Sequence, residues 1–552
     1  MNIQRRMNNG GMPPEVLSLI FEHLHYLDIL RCSLICKWFH DVIAGDPLMR
    51  YLITLGKHGL VVGPHDGRPV HERLHFLLDQ RARWRELAQC ASTCPIVRST
   101  KTLTYTDGVL IQCVERTDKK QGATLFIHYM PATRTNSTVI YSPFHIDFVV
   151  AAAAIDPVRG LLVLVQMPTS DDPNIDKKTA INVHLLQVRL GCRFSVNPEA
   201  RKSVLKLEYD TVVHRNCEVS ALRIAGNKLM LCLGGLFLFS SLYIWDWTTG
   251  DMLVKRTPNE IFSARGAYSE PYRAHSSLKH LVPGLWFFAE MLSPDMFIMS
   301  YYMPTCIPNE ETRREEANNG CAFHLVTLML PEPVDNFEIK PHIIAGPYLP
   351  DPDPRTPFSG DPSSRIIVID LGIRKSSSAP CIIVRQTALI ALAERYALRL
   401  SRGAGGDPKA MKVPWEEWGP QNTRVLETAR SGDFPRAVGA IHGQRGVFTL
   451  DKDYEDDHDC TCILDFNLCP SMVAVDLGNP PQESRTRLVT EPSTVCSEYF
   501  KEPITPSLPY YETLLGPLDD PEVVCGLDEH RLVHLEPNSD SEGKDDLLVF
   551  LV

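Results

Sequence analysis

Residues Met12 to Ile43 constrain this chain more than any other stretch, because they are greasier than two short helices can bury alone. Val16, Leu17, Ile20, Phe21 and Leu24 recur at helical spacing and make one apolar stripe. Glu15, Ser18, Glu22 and His23 fall on the opposite side. Pro13 and Pro14 suit an opening turn, where a missing N–H costs nothing, and Glu15 complements the helix dipole there. Leu27, Leu30, Leu34, Ile35, Trp38, Phe39 and Val42 form a second stripe, with Asp28 placed to cap it and Gly45 and Asp46-Pro47 to stop it. The spacing predicts a helical hairpin. Burying one such side chain stabilises by about 1.5–3 kcal/mol. Ordering about 30 residues costs on the order of 1.5 kcal/mol each, so an isolated pair of helices nets out near zero. Part of the apolar surface must be covered by the body of the chain or by a partner.

The run Met12-Pro13-Pro14-Glu15-Val16-Leu17-x-x-Ile20-Phe21-x-x-Leu24, followed by Leu30-x-x-x-Leu34-Ile35-Cys36-Lys37-Trp38-Phe39-x-x-Val42-Ile43, resembles an F-box. The resemblance implies docking on the Skp adaptor of a cullin-RING ubiquitin ligase, with contacts from Met12, Pro13, Val16, Leu17, Ile20, Phe21, Leu34 and Trp38. Two positions depart from the family pattern: Met12 stands for the usual opening Leu, and Ile35 for the usual Val before Cys.

At 552 residues the chain exceeds one ordinary domain, although a large repeat fold could occupy most of it. The net charge of −11 argues against a general nucleic-acid or acidic-membrane surface. The 16 cysteines are scattered without paired spacings, which points to buried thiols in a reducing compartment. Arg5 and Arg6 lead into Asn8-Asn9-Gly10 rather than an apolar segment, so a cytoplasmic or nuclear protein is expected. Leu229 to Trp245 is free of charge, but Gly234-Gly235 within it favours two buried strands over a membrane span.

Downstream of the hairpin, Leu48 to Leu55 continues as a short helix closed by Gly56 and Gly59. Val70 to Cys90 is amphipathic, with Leu74, Leu77, Leu78, Trp84 and Leu87 on one side and Arg81, Arg83 and Arg85 read as a solvated face. It is expected to be a stiff connector. From about Ser99 a strand–turn–strand unit repeats. It is seen at Val149 to Val165, Val219 to Leu233, Phe287 to Tyr301, Arg436 to Leu450 and Glu522 to Leu535, with a weaker copy at Thr102 to Val114 turning at Asp107-Gly108. The first steps, Ile155 to Ile224 to Leu292, are about 70 residues each. A further apolar strand tends to follow each pair, as at Ile181 to Val188 and Leu547 to Val552. Small antiparallel sheets repeated in this way predict an irregular six- or seven-bladed β-propeller. Leu242 to Leu253 resembles the end of a WD-repeat blade, with Gly250 supplying a positive φ. The apolar terminal strand suits ring closure. Val413-Pro414-Trp415-Glu416-Glu417-Trp418-Gly419-Pro420-Gln421-Asn422-Thr423-Arg424 and Ile441-His442-Gly443-Gln444-Arg445 are similar to a segment of large F-box proteins of mushroom-type fungi. So are Glu72-Arg73-Leu74 and Arg83-Trp84-Arg85.

Chemistry is scarce. Arg402-Gly403-Ala404-Gly405-Gly406 lacks the lysine and the preceding strand of a phosphate loop. No Gly-x-Ser-x-Gly elbow or His-Glu-x-x-His occurs. His458, Cys460, Cys462 and Cys469 have zinc-binding side chains but match no common finger spacing. Trp415 and Trp418 read as an anchoring plug, and His184, His214 and His324 as core histidines.

The expectation is an α+β multidomain chain: an F-box hairpin over 10–50, a helical connector over 51–98, and a mainly-β propeller-like domain over 99–552 with a Pro-rich surface loop near 331–362. The function expected is a non-catalytic substrate-recognition subunit of a cullin-RING (SCF-type) ligase. It would bind a Skp-type adaptor, a cullin scaffold and an unknown protein substrate, with no cofactor, metal, nucleic acid or membrane. The rivals are a β-propeller enzyme and a non-ligase F-box scaffold.

Overall fold

The computed structural model describes residues 12–551 except for 65–66, 87–91, 98–99, 117–121, 131–138, 141–142, 169–178, 189–194, 210–217, 236–237, 257–286 and 302–325. The remaining exceptions are 335–340, 354–355, 373–377, 403–410, 430–437, 451–459, 469–485, 495–498, 516–523 and 537–543. Four short helices come first: α1 (Pro14–Phe21), α2 (Tyr26–Ser33), α3 (Lys37–Gly45) and α4 (Pro47–Lys57). The second apolar stripe is therefore two helices, not one. An extended Cys36 (φ −156°, ψ 159°) breaks it, and its Sγ accepts the Phe39 N–H at 3.5 Å. That turn lets Phe39 meet Phe21 edge-on, with ring centroids 5.6 Å apart. Asp28 does not cap; it pairs with Arg31 at 2.6 Å, while His25 Nδ1 takes the Leu27 N–H at 3.4 Å. Asp46 ends α3 and caps α4, accepting the Leu48 N–H at 2.8 Å. Helix α4 crosses the expected 50/51 boundary. Gly56 is required on it, since a Cβ there would stand 2.2 Å from the Tyr26 ring.

The connector is not free-standing. β1 (Leu60–Val62) leads to α5 (Val70–Glu86), and both pack on the β region. Tyr51, Leu55, Leu60, Leu74 and Leu77 share a core with Phe358. Tyr51 Oη donates to the Pro357 carbonyl at 3.0 Å. Leu78, expected on the packed side of α5, is 49% exposed. Arg81, expected in solvent, is buried against Glu529 at 3.3 Å.

β2 (Ser92–Val97) lies inside the range expected to be helical connector. It is a strand because a C-terminal partner pairs with it. Next come three antiparallel sheets. They contain β3 (Thr100–Thr106), β4 (Val109–Glu115), β5 (Ala123–Tyr129), β6 (Val139–Ile140) and β7 (Phe144–Ile146); then β8 (Val150–Asp156), β9 (Leu161–Gln166), β10 (Thr179–Gln187), β11 (Ser195–Val196) and β12 (Val204–Tyr209); then β13 (Glu218–Ala225), β14 (Lys228–Gly235), β15 (Leu238–Asp246) and β16 (Asp251–Arg256). The uncharged run Leu229 to Trp245 thus spans the neighbouring strands β14 and β15. After them Gly250 turns the chain at φ 77°. No helix among the described residues is long and apolar enough to cross a membrane.

β17 (Phe287–Ser293) and β18 (Met296–Tyr301) form a pair, followed by β19 (Val326–Leu328). The Pro-rich tract is not a surface loop. It holds β20 (His342–Ala345) and β21 (Phe358–Gly360), and Asp353, Thr356 and Phe358 are each no more than 3% exposed. The tract's prolines all fall outside β20 and β21, so neither strand lacks a backbone N–H, and β21 pairs with β1. β22 (Ile366–Asp370), β23 (Ser378–Arg385), α6 (Gln386–Arg402), β24 (Met411–Val413), α7 (Trp415–Asn422) and β25 (Thr423–Ala429) follow. Trp415 and Trp418 are buried plugs, their rings edge-on at 5.0 Å. The last strands are β26 (Val438–His442), β27 (Arg445–Leu450), β28 (Cys460–Asp465), β29 (Thr486–Val489), β30 (Tyr510–Leu514), β31 (Val524–Leu527), β32 (Arg531–Glu536) and β33 (Lys544–Leu551). Between β20 and β30, all strands except β21 and β24 form one nine-stranded sheet, whose two parts are joined through the Thr428–Leu450 pair.

None of these sheets closes on itself. Their first strands are neighbours in sequence order, β3 beside β8, β8 beside β13, β13 beside β17 and β17 beside β20. Further on, β26 lies beside β31 and β31 beside β3. Gly346, after β20, approaches Ile441 of β26 so closely that a Cβ would stand 2.4 Å from its carbonyl oxygen. β33 pairs with β32 on one side and β2 on the other. Removing residues 544–552 therefore exposes two strand edges and is expected to abolish the cooperative thermal transition. A truncated protein melting within about 4 °C of the full chain would show that this pairing is dispensable.

The hairpin turns gather polar groups at one end of these first strands. Asp107, in the Asp-Gly turn between β3 and β4, has φ 43°, alone in the left-handed region among the described non-glycine residues. Aspartate tolerates that conformation in such a turn. Its carboxyl is pushed up to about 6 by its burial, then by Asp528 and Asp353. A carboxyl raised on folding binds its proton more tightly in the folded state, so stability falls as pH rises from about 4 to 6. Asp107→Asn keeps the turn and is expected to remove that slope, on the order of 3 kcal/mol, in urea denaturation at pH 4 and 7.

Candidate interaction face on the N-terminal helices

The apolar stripe of α1 divides between two surfaces. Leu17 and Phe21 point inward, 5% and 3% exposed, into a core with Ile29, Ile43 and Met49. Trp38 is partly buried on that core, its ring 5.7 Å from Phe39. Met12, Val16, Leu19 and Ile20 face outward at 44%, 40%, 58% and 44% exposure. Pro13, the α1 N-cap, is exposed beside them. Leu34 and Ile35, in the break between α2 and α3, are the most exposed at 84% and 68%. Seven of the thirteen large apolar side chains exposed among the described residues lie in 12–35. Single exposed apolar residues are ordinary, whereas a concentration of them marks a contact surface.

Of the eight positions singled out from sequence, the fold presents Met12, Pro13, Val16, Ile20 and Leu34 to solvent. It places Leu17 and Phe21 among the helices and Trp38 at the edge of their core. Leu19, Leu27 and Ile35 are exposed as well and were not singled out. A stripe of 100° per residue identifies a buried arc without showing where it ends; five apolar residues on two turns of α1 overfill one core face.

The helical unit is held rigidly. The Glu529 backbone carbonyl, in the turn between β31 and β32, accepts hydrogen bonds from Gln80 Nε2 and, at 2.9 Å, from Trp84 Nε1. The Glu529 carboxylate accepts from Arg81 at 3.3 Å and from Arg445 at 3.1 Å. Burial pushes its pKa up, but the Arg445 guanidinium beside it holds it below the usual carboxylate range. The Arg445 guanidinium covers the Trp84 ring at 4.7 Å. His530 is held neutral by burial, near 4, and its Nδ1 lies 2.8 Å from Gln80 Nε2, which donates to it.

Among the described residues no group of three or more His, Cys, Asp or Glu side chains is placed to hold a metal. Of the zinc-type set, Cys462 is buried with its thiol 3.6 Å from the Phe448 carbonyl; His458 and Cys469 lie outside the described residues. Of the three strand histidines, only His184 lies within the described residues, where it stacks on Phe148 at 4.2 Å. Cys32, Cys36, Cys113, Cys232 and Cys381 form no disulfide.

Residues 10–54 match the F-box-like family model, so the helices α1 to α4 form an F-box-like domain. The match ends before β1 and leaves the β region outside it. No curated protein matches the chain.

The division of α1 is open to measurement. Phe21→Ala removes a ring from the helical core and is expected to cost that unit about 3–5 kcal/mol in denaturation. Val16→Ser, on the exposed side, is expected to stay within about 0.5 kcal/mol of the parent.

Proposed function

We propose that this protein is the substrate-recognition subunit of a cullin-RING (SCF-type) ubiquitin ligase. The F-box-like helices dock a Skp-type adaptor through Met12, Pro13, Val16, Ile20 and Leu34, joined by Leu19 and Ile35. Leu17, Phe21 and Trp38 shape that surface from behind. The observation that carries the reading is the concentration of exposed apolar side chains on an F-box-like domain. Such domains generally bind Skp-type adaptors. The β region is read as a seven-bladed propeller that holds the protein target. Supporting this are the serial adjacency of first strands, the approach of Gly346 to Ile441, and the joining of both ends of the region in one sheet. The Thr428–Leu450 link then joins two blades rather than building one large sheet. Membership of the large fungal F-box group is part of the same proposal, and its quoted segments supply Trp84 and Arg445, which stack at the joint.

In this reading the chain is not itself an enzyme. It raises the effective concentration of a target lysine near a charged conjugating enzyme, which needs no nucleophile here. The net charge of −11 fits a protein partner rather than a nucleic acid. The compartment proposed is cytoplasm or nucleus.

Ile20→Asp together with Leu19→Asp is expected to abolish capture of recombinant Skp adaptor in a pull-down while leaving the melting temperature unchanged. Retained capture would overturn the placement of the interface. Phe21→Ala is unsuitable as the probe, since its loss of capture could come from a loosened core.

A further inference from the structure

Residues 346–365, between β20 and β22, reach the turn end of one inner hairpin after another. Arg159, in the β8–β9 turn, pairs with Asp351 at 2.9 Å. Tyr348 forms a bridge with Ala225 at the end of β13, and a Cβ on Gly226 would stand 3.9 Å from the Pro350 ring. The Arg365 guanidinium donates to the Met291 carbonyl of β17, and Gln444 Nε2, in the β26–β27 turn, donates to Ser364 Oγ. The Phe358 ring lies 5.6 Å from His530, in the β31–β32 turn. In the seven-bladed reading these hairpins stand on opposite sides of the ring, so a segment this short can touch them all only by crossing the axis. The helical unit holds the segment there. The Gly63 N–H and Tyr51 Oη both donate to the Pro357 carbonyl at 3.0 Å, and the Asp361 N–H donates to the Gly59 carbonyl at 2.8 Å.

The opposite end of the same strands is wetter. In β8, Ala151 to Ala154 are half-buried, whereas Ile155 and Asp156, next to the turn, are 5% and 2% exposed. In β13, Glu218 and Ser220 are exposed and Ala225 is fully buried. In β3, Leu103 to Tyr105 are half-buried, while Thr106 and Asp107 are buried. Water thus reaches these strands from the end where they begin. A second observation falls at that level. β3, β8, β13 and β31 each skip one residue near their start in pairing with the next strand: Lys101, Ala151, Ser220 and Cys525. A skipped residue interrupts the ladder and leaves main-chain groups outside it, and such bulges gather beside binding sites.

We propose that the target polypeptide binds as an extended segment at the end of the ring where the inner strands begin, against their bulged first residues. This rests on the receptor reading above and adds the side on which the target sits, away from the crossing segment and the F-box-like helices. An extended polypeptide suits that wall because it brings main-chain N–H and C=O groups of its own. The small side chains of Ala151 to Ala154 and Ser220 leave room for its backbone to come close. With residues 346–365 across the turn end, the bound segment enters and leaves by the same mouth.

The test uses the full chain with recombinant Skp adaptor. The photocrosslinker p-benzoylphenylalanine replaces Ser220 in one protein and Ser363, exposed in the crossing segment, in another. Each is irradiated in cell extract, and every crosslinked protein is purified, measured for binding to the parent chain and offered to the reconstituted ligase. The expected result is a binder crosslinked from position 220 and not from 363. Ser220→Trp and Glu218→Trp, two plugs at exposed sites, are each expected to weaken its binding about tenfold, with melting curves to check that both are folded. Binders crosslinked from 363 alone or from neither position, or unchanged binding in the folded plug variants, overturn the proposal. A binder from position 220 that the ligase leaves unmodified upholds the binding end and overturns the receptor reading instead.

Discussion

One buried carboxylate, that of Glu529, fixes the helices to the sheets. A charge taken out of water costs several kcal/mol unless it is paired, and removing one partner of a buried pair costs about 3–5 kcal/mol. Here two guanidiniums from different parts of the chain, Arg81 on α5 and Arg445 on β27, share that one group. The Glu529 backbone carbonyl takes Gln80 and Trp84 at the same time. Helix α5 is thereby set in both position and rotation, and β1 pairing with β21 sets the approach of α4. The F-box-like domain cannot swing relative to the first strands without breaking this set. Under the proposed function, that fixed geometry would hold a bound target at a set distance from the adaptor.

The sequence was most legible where periodicity and turn chemistry acted locally. The strand–turn–strand units at Val149 to Val165 and Val219 to Leu233 are β8–β9 and β13–β14, and Asp107-Gly108 and Gly250 turn as their residue types require. It was least legible where distant partners decide. Arg81 reads as solvent-facing in any helical projection, because Glu529 lies 448 residues away. β2 has no alternation that sets it apart from a connector; β33 makes it a strand. Proline content pointed to a surface loop over 331–362, yet Phe358 is fully buried there because the helical unit packs on it.

The apolar stripe of α1 shows the same limit on a smaller scale. Sequence spacing placed Leu17 and Phe21 with Val16 and Ile20, since all four lie on one arc of α1. Packing separates them, because Phe39 and Ile43 arrive on one flank only, after the Cys36 break. The apolar excess inferred from the stripe is real, but it belongs to the outer flank and to the Leu34–Ile35 corner rather than to the whole stripe.

The place of β33 has a consequence for biosynthesis. β2 emerges from the ribosome early, but its strand partner β33 is separated from it by most of the β region. At about 5–20 residues per second, that wait is on the order of half a minute or more. Throughout it β2 presents an open hydrogen-bonding edge, a template for mispairing with other nascent chains. A chain interrupted before β33 leaves β2 without the partner that makes it a strand.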